Sequence, residues 1–388
     1  MSLPSIDTAE RRARINARLL TRRKAPLAVA DDLVALHATD AATVYLSLAA
    51  RLTAPTVAAV ERALYDEVAL VRLLAMRRTL FVVPVDLAPV VDTAAARAIA
   101  AKEREKLLDF LREGGGWDAA WLEAAERETL EALHRIGPAS GQELGAAVPA
   151  LQERVTVAAG KPYEAVQTVA SRVLRVLAAE NRIRRDRPRG SWTSSAYRWT
   201  ESTPWPELPI APARAELVRR WLASYGPGTE ADLKWWTGWP LGAVRKALAE
   251  VGAERVALPD APAADGDGFV LPGDTAPVRA SAPRAALLPA LDPTAMGWRE
   301  RAWYTDPGHA DQLFDRTGNI GPTVWWAGRV VGGWAQATDG SVVWRLLEDV
   351  GAEAASAVEA EAAHLTAFLG DARVTPRFRT PLERELSS

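Results

Sequence analysis

The sequence predicts a mainly α-helical α+β fold, in which three-helix modules with β wings follow one another and a β-rich domain comes last. At 388 residues the chain is too long for one ordinary core, so two to four domains are expected. Hydrophobic residues make up 48% and charged residues 25%, the balance of a well-packed soluble protein. An internal repeat and the order of elements after each copy identify the modules.

The repeat joins two stretches about 90 residues apart in the chain. Residues 136–144 read IGPASGQEL, and residues 225–233 read YGPGTEADL. Each copy follows an amphipathic helix, predicted over residues 121–134 in the first case and 213–224 in the second. In both copies the glycine ends that helix, and the proline keeps it from restarting at once.

A second helix is predicted directly after each turn. Ser140 with Glu143, and Thr229 with Asp232, have the spacing of a helix N-cap and the third residue of that helix. Each copy therefore reads as a helix, a tight turn and a second, capped helix.

A third helix and a hairpin complete the first of these modules. The apolar spacing predicts a helix over residues 163–180, and a β-hairpin over residues 183–199 follows. The outgoing arm of the hairpin is predicted at residues 191–193 and the return arm at 197–199. Three helices and a basic hairpin are the elements of a winged helix, a relative of the helix-turn-helix.

The second copy continues in the same way. A third helix is predicted over residues 241–251, and wing strands over residues 255–258 and 269–271. The intervening Ala/Pro/Asp/Gly stretch, residues 259–268, is interpreted as a wing tip or loop.

The region before residue 100 is interpreted as a degenerate first copy. A basic helix over residues 11–20 and a further helix over residues 57–65 are predicted. Residues 71–83 are rich in β-forming residues and are expected to form a strand pair that bears Arg77 and Arg78.

Beyond residue 283 the pattern changes to that of a small β-rich domain. Strands are predicted at residues 287–291, 323–326, 330–336 and 341–346, and a helix at 352–369. The predicted domains are residues 1–112, 113–205, 206–282 and 283–388.

The charge distribution points to nucleic acid, although the formal net charge is −2. Six arginines and one acid lie on the second module's predicted wing: Arg182, Arg184, Arg185, Arg187, Arg189 and Arg198. Residues 11–24 hold seven basic residues and no acid, whereas residues 346–372 hold six acids and no Lys or Arg. We expect double-stranded DNA as the partner, bound mainly by the wing and by Arg77 and Arg78. Residues 11–24 are the alternative surface, and a module that only contacts proteins is the alternative function for this fold.

Composition excludes several classes of site. The chain has no cysteine, which excludes disulfides and thiolate metal sites, and its four histidines are scattered. No metal site and no cofactor are predicted. There is no apolar run long enough for a membrane span and no apolar core of a secretory signal, so a cytoplasmic, nucleoid-associated protein is expected. With no coiled-coil seam, we expect a monomer.

Five segments resemble the AlkZ/YcaQ-type winged-helix DNA glycosylases. They are residues 33–46 (LVALHATDAATVYL), 76–80 (MRRTL), 288–293 (LPALDP), 321–326 (GPTVWW) and 328–333 (GRVVGG). The resemblance implies three winged helices and a β-rich C-terminal domain around a concave DNA-binding surface. It also implies excision of N-alkylated purines. Some members of the family unhook interstrand cross-links and protect producers of DNA-alkylating antibiotics.

The resemblance places the catalytic motif at His37, Ala38 and Thr39. The family pattern is Gln-apolar-Gln or Gln-apolar-Asp after a leucine, and this chain departs from it at both polar positions. In an extended segment His37 and Thr39 would lie on one face, about 7 Å apart. Neutral His37 would accept a proton from a water that Thr39 orients. Asp40 is the fallback base, or else the N-cap of a following helix.

Two classes of function remain open on the sequence. The first is a monofunctional glycosylase for alkylated purines, for which a role in self-resistance is one of the alternatives. The second is a non-catalytic winged-helix DNA-binding protein or regulator. In both cases the two motif residues have structural alternatives. His37 could be a hydrogen-bonded structural residue, and Thr39 could be an ordinary β-forming residue.

Overall fold

The N-terminal region is a three-stranded antiparallel sheet packed against short helices. The computed structural model describes residues 2–157, 160–162, 164–262, 266–279 and 281–388. The helices of this region are α1 (Thr8–Arg14), α2 (Pro26–Leu33), α3 (Ala41–Ala49), α4 (Val57–Glu61) and α5 (Ala88–Val91). Its strands are β1 (Leu36–His37), β2 (Leu70–Ala75) and β3 (Thr79–Pro84), in the order β1-β3-β2. The predicted strand pair with Arg77 and Arg78 in its turn is confirmed.

The second module contains the predicted helix, turn and capped helix. Its elements are α6 (Arg97–Gly115), α7 (Ala119–Ile136), α8 (Gly141–Ala147), β4 (Arg154–Val157), β5 (Ala165–Thr168), α9 (Ala170–Ala179), β6 (Ile183–Asp186) and β7 (Arg198–Glu201). Ser140 caps α8, and its side chain and backbone form the reciprocal bonds of a capping box with Glu143. This cap is confirmed as predicted.

Two predictions within this module were wrong in detail. The helix predicted from residue 163 begins at Ala170, because Val166 and Thr168 belong to a strand that pairs with β4, with Thr168 opposite Arg154. Tyr163 lies outside the described residues. The outgoing arm of the wing is β6 rather than residues 191–193, because Trp192 leaves the hairpin to pack elsewhere.

The third module repeats the arrangement. Its elements are α10 (Ile210–Tyr225), β8 (Gly228–Thr229), α11 (Glu230–Thr237), α12 (Leu241–Val251), β9 (Glu254–Val256) and β10 (Gly268–Val270). Thr229 and Asp232 form the second predicted capping box. The predicted third helix and wing strands are confirmed, and the wing sheet has the order β8-β10-β9.

The C-terminal domain is a four-stranded antiparallel sheet covered by a long helix. Its elements are β11 (Ala285–Leu288), α13 (Ala310–Leu313), β12 (Thr323–Trp326), β13 (Arg329–Gln336), β14 (Val342–Leu346), α14 (Gly351–Leu369) and α15 (Pro381–Leu386). The strand order is β11-β12-β13-β14, so strands that follow one another in the chain are neighbours in the sheet. The α+β fold class predicted from the sequence is confirmed.

The hydrophobic core has two large parts, whose division positions the site, and a small third cluster of Ile6, Val256, Leu258 and Val270. The second module has its own core, built from residues between Leu107 and Trp199. A continuous core joins the N-terminal region, the third module and the C-terminal domain. The boundary predicted at residues 112/113 falls inside α6, which links the two bodies, and the predicted domain limits stay predictions.

The loop between β6 and β7 fastens the second module to the larger body. The ring of Trp192 lies 5.0 Å from that of Tyr45 on α3 and 5.8 Å from that of Phe368 on α14. Arg187, on the same loop, forms an ion pair of 3.1 Å with Asp66. The wing of this module is therefore an attachment between domains. No helix in the described ranges is both long and apolar enough to cross a membrane.

Candidate functional site

A cleft of about 820 Å³ lies between the second module and the N-terminal sheet. Strands β2 and β3 line one side, and the third helix of the second module, α9, lines the other with its wing strands. Thr39 and Arg377, from the segments before α3 and after α14, also line it. The cleft is therefore assembled from parts of the chain that are far apart in sequence.

Arginines without carboxylate partners dominate the charge of this cleft. Within the described part of the chain, five arginines of the lining form no ion pair: Arg72 on β2, Arg175 on α9, Arg184 and Arg185 on β6, and Arg377. Of the six arginines in the lining, two have a close side-chain partner. Arg185 lies 3.9 Å above the ring of Tyr197, and Arg78 pairs with Glu103 at 2.8 Å. An unpaired cation in a concave site favours an anionic ligand.

Most of the predicted wing arginines have partners within the chain. Arg182 pairs with Glu126 at 2.7 Å, Arg187 with Asp66 at 3.1 Å, Arg189 with Glu143 at 2.5 Å, and Arg198 with Asp186 at 3.4 Å. The guanidinium of Arg77 stacks on Trp235 at 4.2 Å. Of the predicted set, the structure brings Arg78, Arg184 and Arg185 to the cleft. The assignment of the whole set to DNA stays a prediction.

The alternative basic surface, residues 11–24, is largely neutralised by distant acids. Most of its partners lie far along the chain, since Arg14 and Arg18 pair with Asp274 and Arg22 pairs with Glu361. Arg23 pairs with the nearer Asp32. Arg11 is buried and lies 3.7 Å above the ring of Trp303. Such long-range pairing cannot be read from local charge counts.

The predicted catalytic segment is the edge of the N-terminal sheet. His37 pairs with Phe81 of β3, and the amide of Ala38 donates to the carbonyl of Leu80 at 2.8 Å. Thr39 follows, half-buried, and lines the cleft. His37 is 8% exposed and lies behind the cleft surface with its ring against Phe81. The structure thus places Thr39 on the cleft and His37 beneath it.

His37 carries an unusual electrostatic environment. Burial, and secondarily the charge of Arg77, lower the pKa of His37 to about 4. The imidazole is therefore neutral near pH 7, the form that a general base requires. Its Nδ1 is buried and has no hydrogen-bond partner in the described part of the chain, which is rare for a buried polar atom.

Asp40 serves as the N-cap of α3. One oxygen of its carboxylate accepts from the amide of Ala42 at 3.1 Å, and the other accepts from the amide of Arg377 at 3.1 Å. Both oxygens are thus used in holding backbone, which is the alternative that the sequence left open for this residue.

Helix α3, which begins at this cap, is anchored to the C-terminal domain by a buried ion pair. All five N–H groups of Arg51 donate hydrogen bonds. Two donate to the carboxylate of Asp292, and the others donate to the hydroxyl of Thr294 and the carbonyls of Leu19 and Ser47. The side chains of Arg51 and Asp292 are 2% and 0% exposed. The hydroxyl of Thr43 also donates to the carbonyl of Ala290. These contacts fix the position of Thr39 relative to the C-terminal domain.

The depressed pKa of His37 predicts a pH dependence of stability. Above its ordinary value of 6.5 the residue is neutral in both folded and unfolded chains, so it contributes no difference. As the pH falls from 6.5 to 4, the unfolded chain takes up the proton first. The free energy of unfolding then drops by up to about 1.4 kcal/mol per pH unit from this residue.

Urea unfolding at a series of pH values tests this expectation. His37→Gln should lower the slope of unfolding free energy against pH between 4 and 6.5. The control is His364→Gln, on an exposed face of α14, which should keep the wild-type slope. Equal slopes for wild type and His37→Gln would show that His37 is protonated normally in the folded chain.

The described residues contain no group of three or more His, Cys, Asp or Glu side chains suited to hold a metal ion. The chemistry available at the cleft surface is that of the Thr39 hydroxyl and the surrounding arginines, and neutral His37 lies beneath it. Cation-lined walls would bind a polyanion, and the Thr39 hydroxyl would orient a water there.

One family model and a solved structure match this chain. A family model described as DNA glycosylase AlkZ-like matches residues 30–368. A solved structure, the Streptomyces sahachiroi DNA glycosylase AlkZ, matches with a TM-score of 0.68 over 96% of this chain and 99% of that chain. The two are 22% identical, so this likeness shows the fold alone. No curated protein matched the sequence.

Proposed function

Because the chain belongs to the AlkZ-like DNA glycosylase family, we propose that it binds duplex DNA in the arginine-lined cleft and excises N-alkylated purines there. The observation that carries the proposal is the cleft itself. Arg72, Arg175 and Arg184 have no carboxylate partner in the described ranges and face the same cleft as Thr39. Phosphate contacts supply much of the affinity of a protein for DNA, and unpaired arginines are suited to make them.

The reaction needs little acid catalysis. An N7- or N3-alkylated purine is cationic, so when the C1′–N bond breaks its electron pair neutralises the departing base. The oxygen of a water forms the new bond to C1′. In the proposal Thr39 orients this water and neutral His37 accepts its proton, which then passes to solvent. The products are the free alkylpurine and an abasic site.

The enzyme and the non-catalytic DNA-binding protein differ in one measurement. Wild-type protein is incubated with a duplex containing N7-methylguanine, and alkali then cleaves the strand at any abasic site. Strand cleavage that depends on the protein supports the glycosylase. Binding of that duplex without release of base favours the alternative function, because the departure from the family's glutamine-containing motif would then have removed the chemistry.

The cleft arginines give a prediction about binding. The affinity for DNA falls as salt rises, so the slope of log affinity against log salt is negative. Changing Arg175 and Arg184 together to Gln should make this slope shallower by about 1.8, since each lost phosphate contact removes about 0.9. A matched double variant, Arg112→Gln with Arg219→Gln, removes two arginines that pair on exposed helix faces with Asp109 and Glu216. That control should keep the wild-type slope in the same fluorescence titrations.

The opposite result would place the DNA-binding surface on the wing of the second module. Suppose that the double variant Arg187→Gln with Arg189→Gln has a shallower salt slope and the Arg175/Arg184 variant does not. The wing arginines would then exchange their carboxylate partners for DNA phosphates. The cleft would then not be the binding surface.

A further inference from the structure

The segment between α14 and α15 brings a cation from the C-terminal domain to the candidate catalytic segment. The side-chain amide of Gln336 holds the start of this segment: its Nε2 donates to the carbonyl of Ala372 at 3.0 Å, and its Oε1 accepts from the amide of Val374 at 2.8 Å. Further along, the amide of Arg377 donates to the carboxylate of Asp40 at 3.1 Å. The backbone at Arg377 is thus fixed beside the cap of α3.

The side chain of Arg377 differs from those of its neighbouring arginines. Arg373 donates to the carbonyls of Asp339 and Asp371, and Arg379 pairs with Glu383 at 2.7 Å. The guanidinium of Arg377 is exposed, lines the cleft with Thr39, and meets no carboxylate among the residues that the structure describes. Among the described residues, the ring of Phe378, the next residue, lies 5.8 Å from this guanidinium.

An arginine held in this way is suited to a phosphate. Its planar fork presents two parallel N–H donors, which match two oxygens of a phosphodiester. The position of its backbone is set by the bond to Asp40, so the side chain starts from a fixed point beside the cap of α3. The other unpaired arginines of the cleft lie on β2, α9 and β6.

We propose that Arg377 binds a backbone phosphate of the DNA strand that carries the nucleotide to be excised, next to that nucleotide. The proposal rests on the proposed function of the cleft. An enzyme that acts on a base must hold its nucleotide outside the helical stack, which requires a grip on the flanking backbone. Since Asp40 holds both the first turn of α3 and the Arg377 amide, the phosphate-binding group and the candidate catalytic segment form one unit.

The first test measures binding and needs no catalysis. The probe is a duplex with one tetrahydrofuran abasic analogue, which cannot be excised. Arg377→Gln should make the negative slope of log affinity against log salt shallower by about 0.9. Arg377→Lys keeps the positive charge and should keep a slope close to that of the wild type. Arg373→Gln is the matched control on the same segment and should keep the wild-type slope. An unchanged slope for Arg377→Gln overturns the proposal. Because the bond to Asp40 comes from the backbone, the variants should have wild-type circular dichroism.

The second test locates the phosphate by a double-mutant cycle. Single neutral methylphosphonates are placed in turn along each strand around the analogue. At the phosphate that Arg377 binds, the methylphosphonate should weaken wild-type binding and have little further effect on Arg377→Gln. The proposal requires that this position flank the analogue on its own strand. Additive losses at every such position, or coupling on the opposite strand, overturn it.

The two proposals fail in different ways. If the wild type excises N7-methylguanine but the Arg377 variants bind normally, the inference about Arg377 is wrong and the proposed function stands. If the salt slope and the double-mutant cycle give the expected results but no base is released, the phosphate contact stands and the proposed glycosylase activity is wrong. A wild type that does not bind duplex DNA overturns both.

Discussion

His37→Ala should lower the single-turnover rate of alkylpurine excision by roughly 10²-fold or more, as loss of a general base typically does. The affinity for duplex should change little, because His37 lies beneath the cleft surface rather than on it. The reasons to expect a base here are the position of His37 in the segment that resembles the family's motif and its buried, unpartnered Nδ1. Burial lowers the pKa of His37 to about 4, so the imidazole stays neutral through the pH range of the assay. The rate should therefore be flat between pH 6 and 8 and fall only as the pH approaches 4.

Three further variants separate the roles within the segment. Thr39→Ala should lower the rate less, because a hydroxyl orients the water without taking its proton. Asp40→Ala should chiefly reduce stability, by about 1 kcal/mol, as for loss of a helix cap. His37→Gln keeps a hydrogen-bonding group but accepts no proton, so a near wild-type rate would mean that the residue only positions the water. If Asp40→Ala abolishes excision and His37→Ala retains it, the carboxylate is the base.

Asp292→Asn should lower the free energy of unfolding by about 3–5 kcal/mol, the usual cost of breaking a buried ion pair from one side. Arg51 would keep its charge in a site where its side chain is 2% exposed, facing a neutral amide. The pair links α3 to the C-terminal domain, so its loss should also loosen the Thr39 segment. Urea unfolding followed by tryptophan fluorescence measures the first effect.

An exposed ion pair provides the control for this prediction. Asp109 and Arg112 on α6 are 59% and 68% exposed, and Asp109→Asn should change the unfolding free energy by less than about 1 kcal/mol. A similarly small change for Asp292→Asn would mean that solvent reaches Arg51 in the folded chain. The buried pair would then not be the anchor of α3.

The helices and caps follow from local rules, and for this reason they were predictable. Ser140 and Thr229 each cap a helix because a short side-chain oxygen can reach an amide three residues on, whatever the rest of the fold does. The strands of the C-terminal domain were found in the same way, from β-forming residues between turns. The hairpin inserted before α9 was missed, because Val166 and Thr168 fit the apolar spacing of a helix until a partner strand is known.

The site depended on contacts that no local pattern contains. The sequence by itself determined the module repeat and the α+β class, and it supplied the segment from His37 to Asp40 as a prediction. Only the tertiary structure decided which arginines remain unpaired, since acids hundreds of residues away neutralise those near the N-terminus while Arg184 and Arg377 meet none in the described chain. It also decided that His37 is buried outside the cleft lining and that its pKa is lowered, because burial, and with it the cost of a charge, is a property of the packed molecule.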